Sequence, residues 1–185
     1  MRVITGKVKG RKLKAPKGLD VRPTTDRVKE SIFNILRTVS EESKVLDLFA
    51  GSGSVGIEFL SRGADECYFI DNDNISIKTI RENLEHTGLI SQSYIYKNTV
   101  EGAIKILGKR NITFDYIFMD PPYERDLILP ALELICKEML IKKDGLVIIE
   151  HEKDITLPKN FFNLVKIDLR EYGTTTVTFY TYEEE

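Results

Sequence analysis

Only two cysteines, Cys67 and Cys136, occur in the 185-residue chain. Each sits in an apolar pattern and neither belongs to a Cys-x-x-Cys pair, so neither a disulfide framework nor a zinc site is supported. Histidine is as scarce, with His86 and His151 alone. No His/Asp/Glu cluster has metal spacing, so no metal is expected, and His151, beside the fifth strand, reads as a surface residue rather than one that touches substrate. Long apolar runs are missing: a membrane span needs roughly 18 such residues, and Leu146–Ile149 is typical of the longest here. The opening residues carry charge but no apolar signal region, so a cytoplasmic protein without membrane association is expected. No internal repeat appears. Apolar residues make up 42% and charged residues 30%, which excludes a fully disordered chain and fits one ordinary domain, read as a monomer.

The net charge of −2 hides an asymmetry. Residues 1–30 hold ten Lys or Arg against three acids, a balance of +7, while the remainder carries 17 basic and 26 acidic side chains, or −9. A basic arm on an acidic body points to a polyanionic partner; a solvated hairpin coat would carry the same charges.

Residues 1–22 read as a separate basic arm. Partial alternation through Val3, Val8 and Leu13, broken by Gly6 and Gly10 and ended by Pro16-Lys17-Gly18, predicts a short bent β-hairpin. Residues 23–185 form the main domain. Thr24-Thr25-Asp26 supplies N-cap chemistry, and Val28, Ile32, Ile35, Leu36 and Val39 share one face of an amphipathic helix. From Lys44 the pattern becomes strand, turn and helix, repeated. Strands are expected at Val45–Phe49, Cys67–Ile70, Tyr94–Tyr96, Phe114–Met119 and Leu146–Ile149. Helices are expected through about Arg62, up to Gly88, at Val100–Leu107 and at Leu127–Leu140. Near-continuous apolar strands alternating with helices predict a doubly wound, mostly parallel α/β sheet. Leu164–Leu169 and Thr175–Tyr182 add a terminal antiparallel hairpin.

Gly51-Ser-Gly53-Ser-Val-Gly56 fits G-x-G-x-x-G between a strand and a helix, and Asp71 follows Gly51 by twenty residues. The turn lets backbone approach a nucleoside cofactor while the carboxylate accepts ribose hydroxyls. NAD, FAD and S-adenosylmethionine (SAM) all suit such a turn. Asp47, a charge inside the first apolar strand, favours SAM because it can face the methionine amine. Asp120-Pro121-Pro122-Tyr123 directly follows the fourth strand and so lies beside the same ligand. Two prolines stiffen the backbone and leave carbonyls free to accept; with Asp120 they can hold the two hydrogens of a planar amine, and Tyr123 can stack on its base.

These residues resemble the class I SAM-dependent amino-methyltransferases with a [DN]PPY signature. Arg2–Gly6, Gly10–Leu13, Arg22–Glu30, Phe33-Asn34, Glu150 and Tyr172-Gly173 are similar to the RsmD-type bacterial 16S rRNA guanine-N2 methyltransferases, over nearly the whole chain. The resemblance implies that Asp47, Phe49, Ala50, Gly51 and Gly53 wrap the methionine and ribose of SAM. It implies that Asp71 binds the ribose hydroxyls, that Asn72 and Asn98 reach the adenine, and that Thr24 and Thr25 close over the cofactor. Asn98 stands where such enzymes often carry an Asp. Asp120 and the Pro121 carbonyl, followed by Pro122, would hold the target amine, with Tyr123 on the guanine. The implied target is guanine 966 of 16S rRNA, free or within the 30S particle. The implied RNA grip is Arg2, Lys7, Lys9, Arg11, Lys12, Lys14 and Arg22.

Three rival readings share parts of this pattern. DNA adenine-N6 and protein-glutamine methyltransferases share the [DN]PPY core, but most carry an added recognition domain for which 185 residues leave no room. An NAD-dependent oxidoreductase shares the glycines and Asp71 but lacks a Tyr-x-x-x-Lys proton donor. An RNA-binding assembly module would leave the intact Asp120–Tyr123 tetrapeptide without a purpose.

Overall fold

The computed structural model describes residues 1–17, 24–122 and 126–182. Tyr123 and Arg22 therefore lie outside the described residues. Helix α1 (Asp26–Leu36) leads into β1 (Lys44–Leu48), α2 (Ser54–Ser61), β2 (Glu66–Asp71), α3 (Asn74–Thr87), β3 (Ser93–Lys97), α4 (Val100–Lys109), β4 (Phe114–Met119), α5 (Ile128–Lys137) and β5 (Ile141–Glu152). The chain then runs through β6 (Asn160–Phe161), β7 (Leu164–Tyr172) and β8 (Thr175–Tyr182).

The strands form one eight-stranded sheet in the order β3-β2-β1-β4-β5-β8-β7-β6. β1 to β5 are mutually parallel and β8 inserts antiparallel between β5 and β7. Successive strands step outward from β1 to β3, and the order then reverses to β4 on the other side of β1. That reversal opens a crevice at the carboxyl ends of β1 and β4. Alternation across β1 divides the core. Val45 joins the face covered by α1, α2 and α3, and Leu46 and Leu48 join the face covered by α4 and α5. Helix α5 is shorter than its apolar run because Met139 takes a positive φ of 50° just after it, and β5 begins two residues later.

The amino-terminal segment is a hairpin reduced to one antiparallel bridge, Arg2 with Lys12. Much of its backbone also bonds to the body of the fold. Ile4 and Thr5 N–H donate to the Glu58 carboxylate at 2.7 and 3.0 Å, and Lys7 N–H donates to the Ser61 carbonyl at 2.7 Å. The first two donors satisfy the buried Glu58 carboxylate, which Arg62 also meets at 2.8 Å. Val3 and Leu13 are buried in one cluster with Val28, Ile32 and Phe59. Lys29, fully buried on α1, donates its Nζ to the Arg2 carbonyl at 2.7 Å. Burial pulls its pKa down, against the opposing pull of Glu58 and Asp26. The arm is thus bolted to α1 and α2, while Arg2, Lys7, Lys9, Arg11, Lys12 and Lys14 keep their side chains exposed.

Candidate active site

The loop after β1 is built by unusual backbone. Phe49 has φ 58°, Gly51 φ 57° and Gly53 φ 74°, a left-handed region that costs an ordinary side chain energy and glycine little. Ala50 N–H reaches the Ile70 carbonyl at 3.0 Å, and Gly53 N–H turns back to the Ala50 carbonyl at 2.6 Å. Gly53 caps α2 in that left-handed conformation. Gly56 has a different purpose. A Cβ there would lie 2.4 Å from the Phe69 ring, so glycine is what lets α2 lie against β2.

Asp47 is almost fully buried and accepts the Gly56 N–H through Oδ2 at 3.0 Å. Burial, with a smaller push from Asp71, raises its pKa to about 8. Asp71, at the end of β2, accepts the Gly51 N–H at 2.8 Å with one oxygen and the Asp73 N–H at 2.9 Å with the other. Each oxygen of a carboxylate has two lone-pair directions, so both can still take a hydroxyl proton. The open Gly loop, the spare acceptors of Asp71 and a buried carboxylate suited to a cation fit a nucleoside bearing an amine.

Asn72 is exposed and Asn98 half-buried. Asn98 N–H binds the Asp71 carbonyl at 3.0 Å, which joins the ends of β2 and β3. Its Oδ1 accepts the Thr99 N–H at 2.8 Å. Beside it opens a small, mostly apolar crevice between Ile70, Tyr96, Ile106, Leu107 and Arg110.

Across β1, Asp120 ends β4, Pro121 is buried and Pro122 exposed. Register pairs Met119 with Ile149, so the next residue on each strand, Asp120 and Glu150, come abreast. Thr24 joins them: its hydroxyl lies 2.8 Å from Glu150 Oε2 and 3.4 Å from Asp120 Oδ2. Burial, the charge of Glu150 and that of Asp47 drive the Asp120 pKa well above the ordinary carboxylate range, and Thr24 opposes them. Thr24 and Thr25 therefore divide. Thr24 sits at the β4–β5 end of the crevice, whereas exposed Thr25 caps α1 by accepting the Val28 N–H at 3.3 Å.

His151 corrects the surface reading of that residue. It is buried, with Nδ1 2.8 Å from the Glu152 carbonyl and Nε2 2.9 Å from the Thr178 hydroxyl. Burial lowers its pKa, and its ring fastens β5 to β8. Glu58 and Asn83 escaped notice in the sequence, and Glu150 was named there without a role. Glu58 was visible as a charge within an apolar helix. Asn83, which donates to the Lys14 and Ser52 carbonyls at 3.0 and 2.9 Å, gave no signal at all.

Residues 1–181 match the family described as Conserved hypothetical protein 95. Ribosomal RNA small subunit methyltransferase D of Haemophilus influenzae is 36% identical over 163 residues, 87% of this chain and 84% of that one. The chain belongs to the RsmD-type methyltransferase family. The Bacillus subtilis protein YlbH is 43% identical over 180 residues, covering 97% of this chain and 98% of its own. Among solved structures, a hypothetical protein of Thermus thermophilus superimposes with a TM-score of 0.84 at 30% identity, over 97% of this chain and 98% of that one. A SAM-dependent methyltransferase of Agrobacterium tumefaciens, 17% identical with a TM-score of 0.66 and covering 89% of this chain and 64% of its own, shares the fold alone.

Proposed function

We propose that this chain methylates the exocyclic N2 amine of a guanine in small-subunit rRNA, guanine 966 in the usual numbering, using SAM. The observation that carries the reading is the placement of Asp120 and buried Pro121 at the end of β4, across the crevice from the Gly51–Gly53 loop. Family membership supports it, since the H. influenzae relative bears the rRNA small-subunit methyltransferase name. SAM, when bound, supplies a methyl group already activated by a sulfonium. Gly51 and Gly53 give it backbone room, Asp71 takes its ribose hydroxyls, and Asp47 pairs with its amine. Asn98 and the apolar crevice beside it accept the adenine, Asn72 lies at its rim, and Phe49 and Ala50 line the turn.

What remains for the protein is placement. Asp120 and the Pro121 carbonyl accept the two N2 hydrogens, which draws the lone pair out of the guanine ring. The N2 lone pair forms the new N–C bond as the methyl–sulfur bond breaks, the sulfur keeps that electron pair, and one N2 proton leaves. A carboxylate stabilises the positive charge that develops on nitrogen. The guanine reaches the pocket flipped or unpaired, and the exposed cations of residues 2–14 hold phosphates nearby.

The test is methyl transfer from labelled SAM to small-subunit rRNA and 30S particles from cells lacking the modification, with nucleoside analysis. Label in N2-methylguanine is expected. Label in N6-methyladenine, or none in RNA despite SAM binding, would overturn the reading.

A further inference from the structure

We propose that Glu150 is a positioning residue for this reaction: abreast of Asp120 and taking the Thr24 hydroxyl proton for itself, it leaves the Asp120 carboxylate as the acceptor of the proton that leaves the methylated amine. The inference rests on the guanine-amine reading above.

Parallel register places Asp120 and Glu150 side by side at the ends of β4 and β5. The two carboxylates are gathered rather than kept apart, for Thr24 stands between them, 6% exposed, and Glu150 is 3% exposed. A hydroxyl has one proton to give. At 2.8 Å it goes to Glu150, and the 3.4 Å contact leaves Asp120 only weakly engaged. Among the described residues, the charges that face Asp120 are those of Glu150 on β5 and Asp47 on β1, with the Thr24 hydroxyl from the lead into α1. Both charges have the sign of Asp120 itself. A half-buried carboxylate set beside other carboxylates binds a proton more tightly than one in solution.

That property suits the final step. Bond formation turns the guanine amine into a positively charged nitrogen carrying two acidic hydrogens. One proton passes from N2 to Asp120 Oδ, leaving neutral N2-methylguanine and a protonated Asp120 that later returns its proton to solvent. A carboxylate whose proton affinity is raised is a stronger general base than an ordinary one. Glu150 never touches the amine in this scheme; it acts through Thr24 and through its charge. If its only purpose were to seat α1 by way of Thr24, the acid limb of methyl transfer would not follow the Asp120 titration when its charge is removed.

The experiment compares wild type with Glu150→Gln, which keeps size and hydrogen bonding and removes the charge. The Asp120 carboxyl carbon is titrated by NMR in the protein alone, and single-turnover methyl transfer to 30S particles is measured across pH. Glu150→Gln is expected to move the Asp120 titration and the acid limb of the rate to lower pH together. The plateau rate should fall by about tenfold, with SAM affinity within about twofold. Glu150→Asp, which restores the charge, should return the titration toward wild type. An Asp120 titration unchanged in Glu150→Gln, at whatever rate, overturns the proposal. Should Glu150→Gln not fold, Thr24→Val decides instead: losing the opposing hydroxyl should raise the Asp120 titration, and no movement overturns the proposal. A wild-type enzyme that methylates no guanine would sink the functional reading alone, because the NMR comparison still tells whether Glu150 acts on Asp120.

Discussion

A Cβ placed on Gly6 would lie 1.9 Å from the Ser61 carbonyl oxygen, closer than any non-bonded pair can come. Gly6 also holds φ at 91°. It is the point where the basic arm presses onto the end of α2, and the Lys7 N–H bond to that same carbonyl depends on the approach.

Gly6→Ala should therefore dislodge the arm. The left-handed backbone alone costs about 1–2 kcal/mol for an L side chain, and the clash adds to it. Gly10→Ala shares the positive φ but meets nothing within 4 Å, so it isolates the backbone contribution. Denaturant unfolding of both variants is the check. Equal destabilisation would mean that the Gly6–Ser61 approach contributes nothing.

Asp47 should leave a mark on stability against pH. The unfolded carboxyl releases its proton near 3.8 and the folded one near 8, so between those values the folded state binds more protons. The contribution of Asp47 is thus fully present below the unfolded value and is lost as pH rises through about 8. Asp47→Asn keeps an acceptor for the Gly56 N–H and removes the titration. Unfolding free energies from pH 5 to 8 should fall more steeply in wild type than in the variant, by about 1.4 kcal/mol per pH unit at most. Parallel curves would argue for an ionised Asp47.

The same group should report on the cofactor. A cationic amine beside Asp47 favours its ionised form, so SAM binding at neutral pH should expel a proton. Calorimetry in two buffers of different ionisation enthalpy measures this directly. Release of about one proton in wild type, and none in Asp47→Asn, is expected; no difference would remove Asp47 from the amine.

Asp120→Ala should abolish methyl transfer, a loss of at least about a hundredfold, while SAM affinity stays within about twofold. The two are read separately, by single-turnover transfer and by equilibrium binding. Equal loss of both would move Asp120 from the target amine to the cofactor.

Replacing Arg11 and Lys12 by Glu should weaken RNA binding and flatten its salt dependence. Each lost phosphate contact lowers the slope of log affinity against log salt by about 0.7 to 0.9. Both side chains are exposed, and Lys12 makes its bridge through backbone, so the fold should survive. An unaltered slope would place the RNA elsewhere.

The parallel sheet was readable because β1, β2 and β4 are near-continuous apolar runs, interrupted by Asp47 in β1 and Asp115 in β4, and the loop glycines and Asp71 stand at fixed offsets from them. The terminal hairpin was readable from its alternation and its turn at Gly173, where φ is 64°. What a one-dimensional pattern withholds is pairing. Thr24 stands 126 positions from Glu150 and 96 from Asp120, and only strand register brings the three together. His151 looked superficial because the strand that covers it, β8, lies 27 residues on at Thr178. β5 extends five residues upstream of its apolar stretch, since strand pairing with β4 resumes at Ile141 beyond an irregular step. β6 is two residues long, too short to carry a periodicity.

The placement of β8 between β5 and β7 also bears on how the molecule is made. A ribosome releases β5 well before β8, so during synthesis β5 waits as an open edge with its apolar run Leu146–Ile149 unpaired on one side. Only the last strand of the fold closes that edge and brings Thr178 to His151, one residue from Glu150. The pocket half that would hold the guanine is therefore finished last, whereas the Gly loop and Asp71 half is present in the first strands to emerge. A nascent chain halted before β8 is expected to own a cofactor cradle without a finished substrate wall.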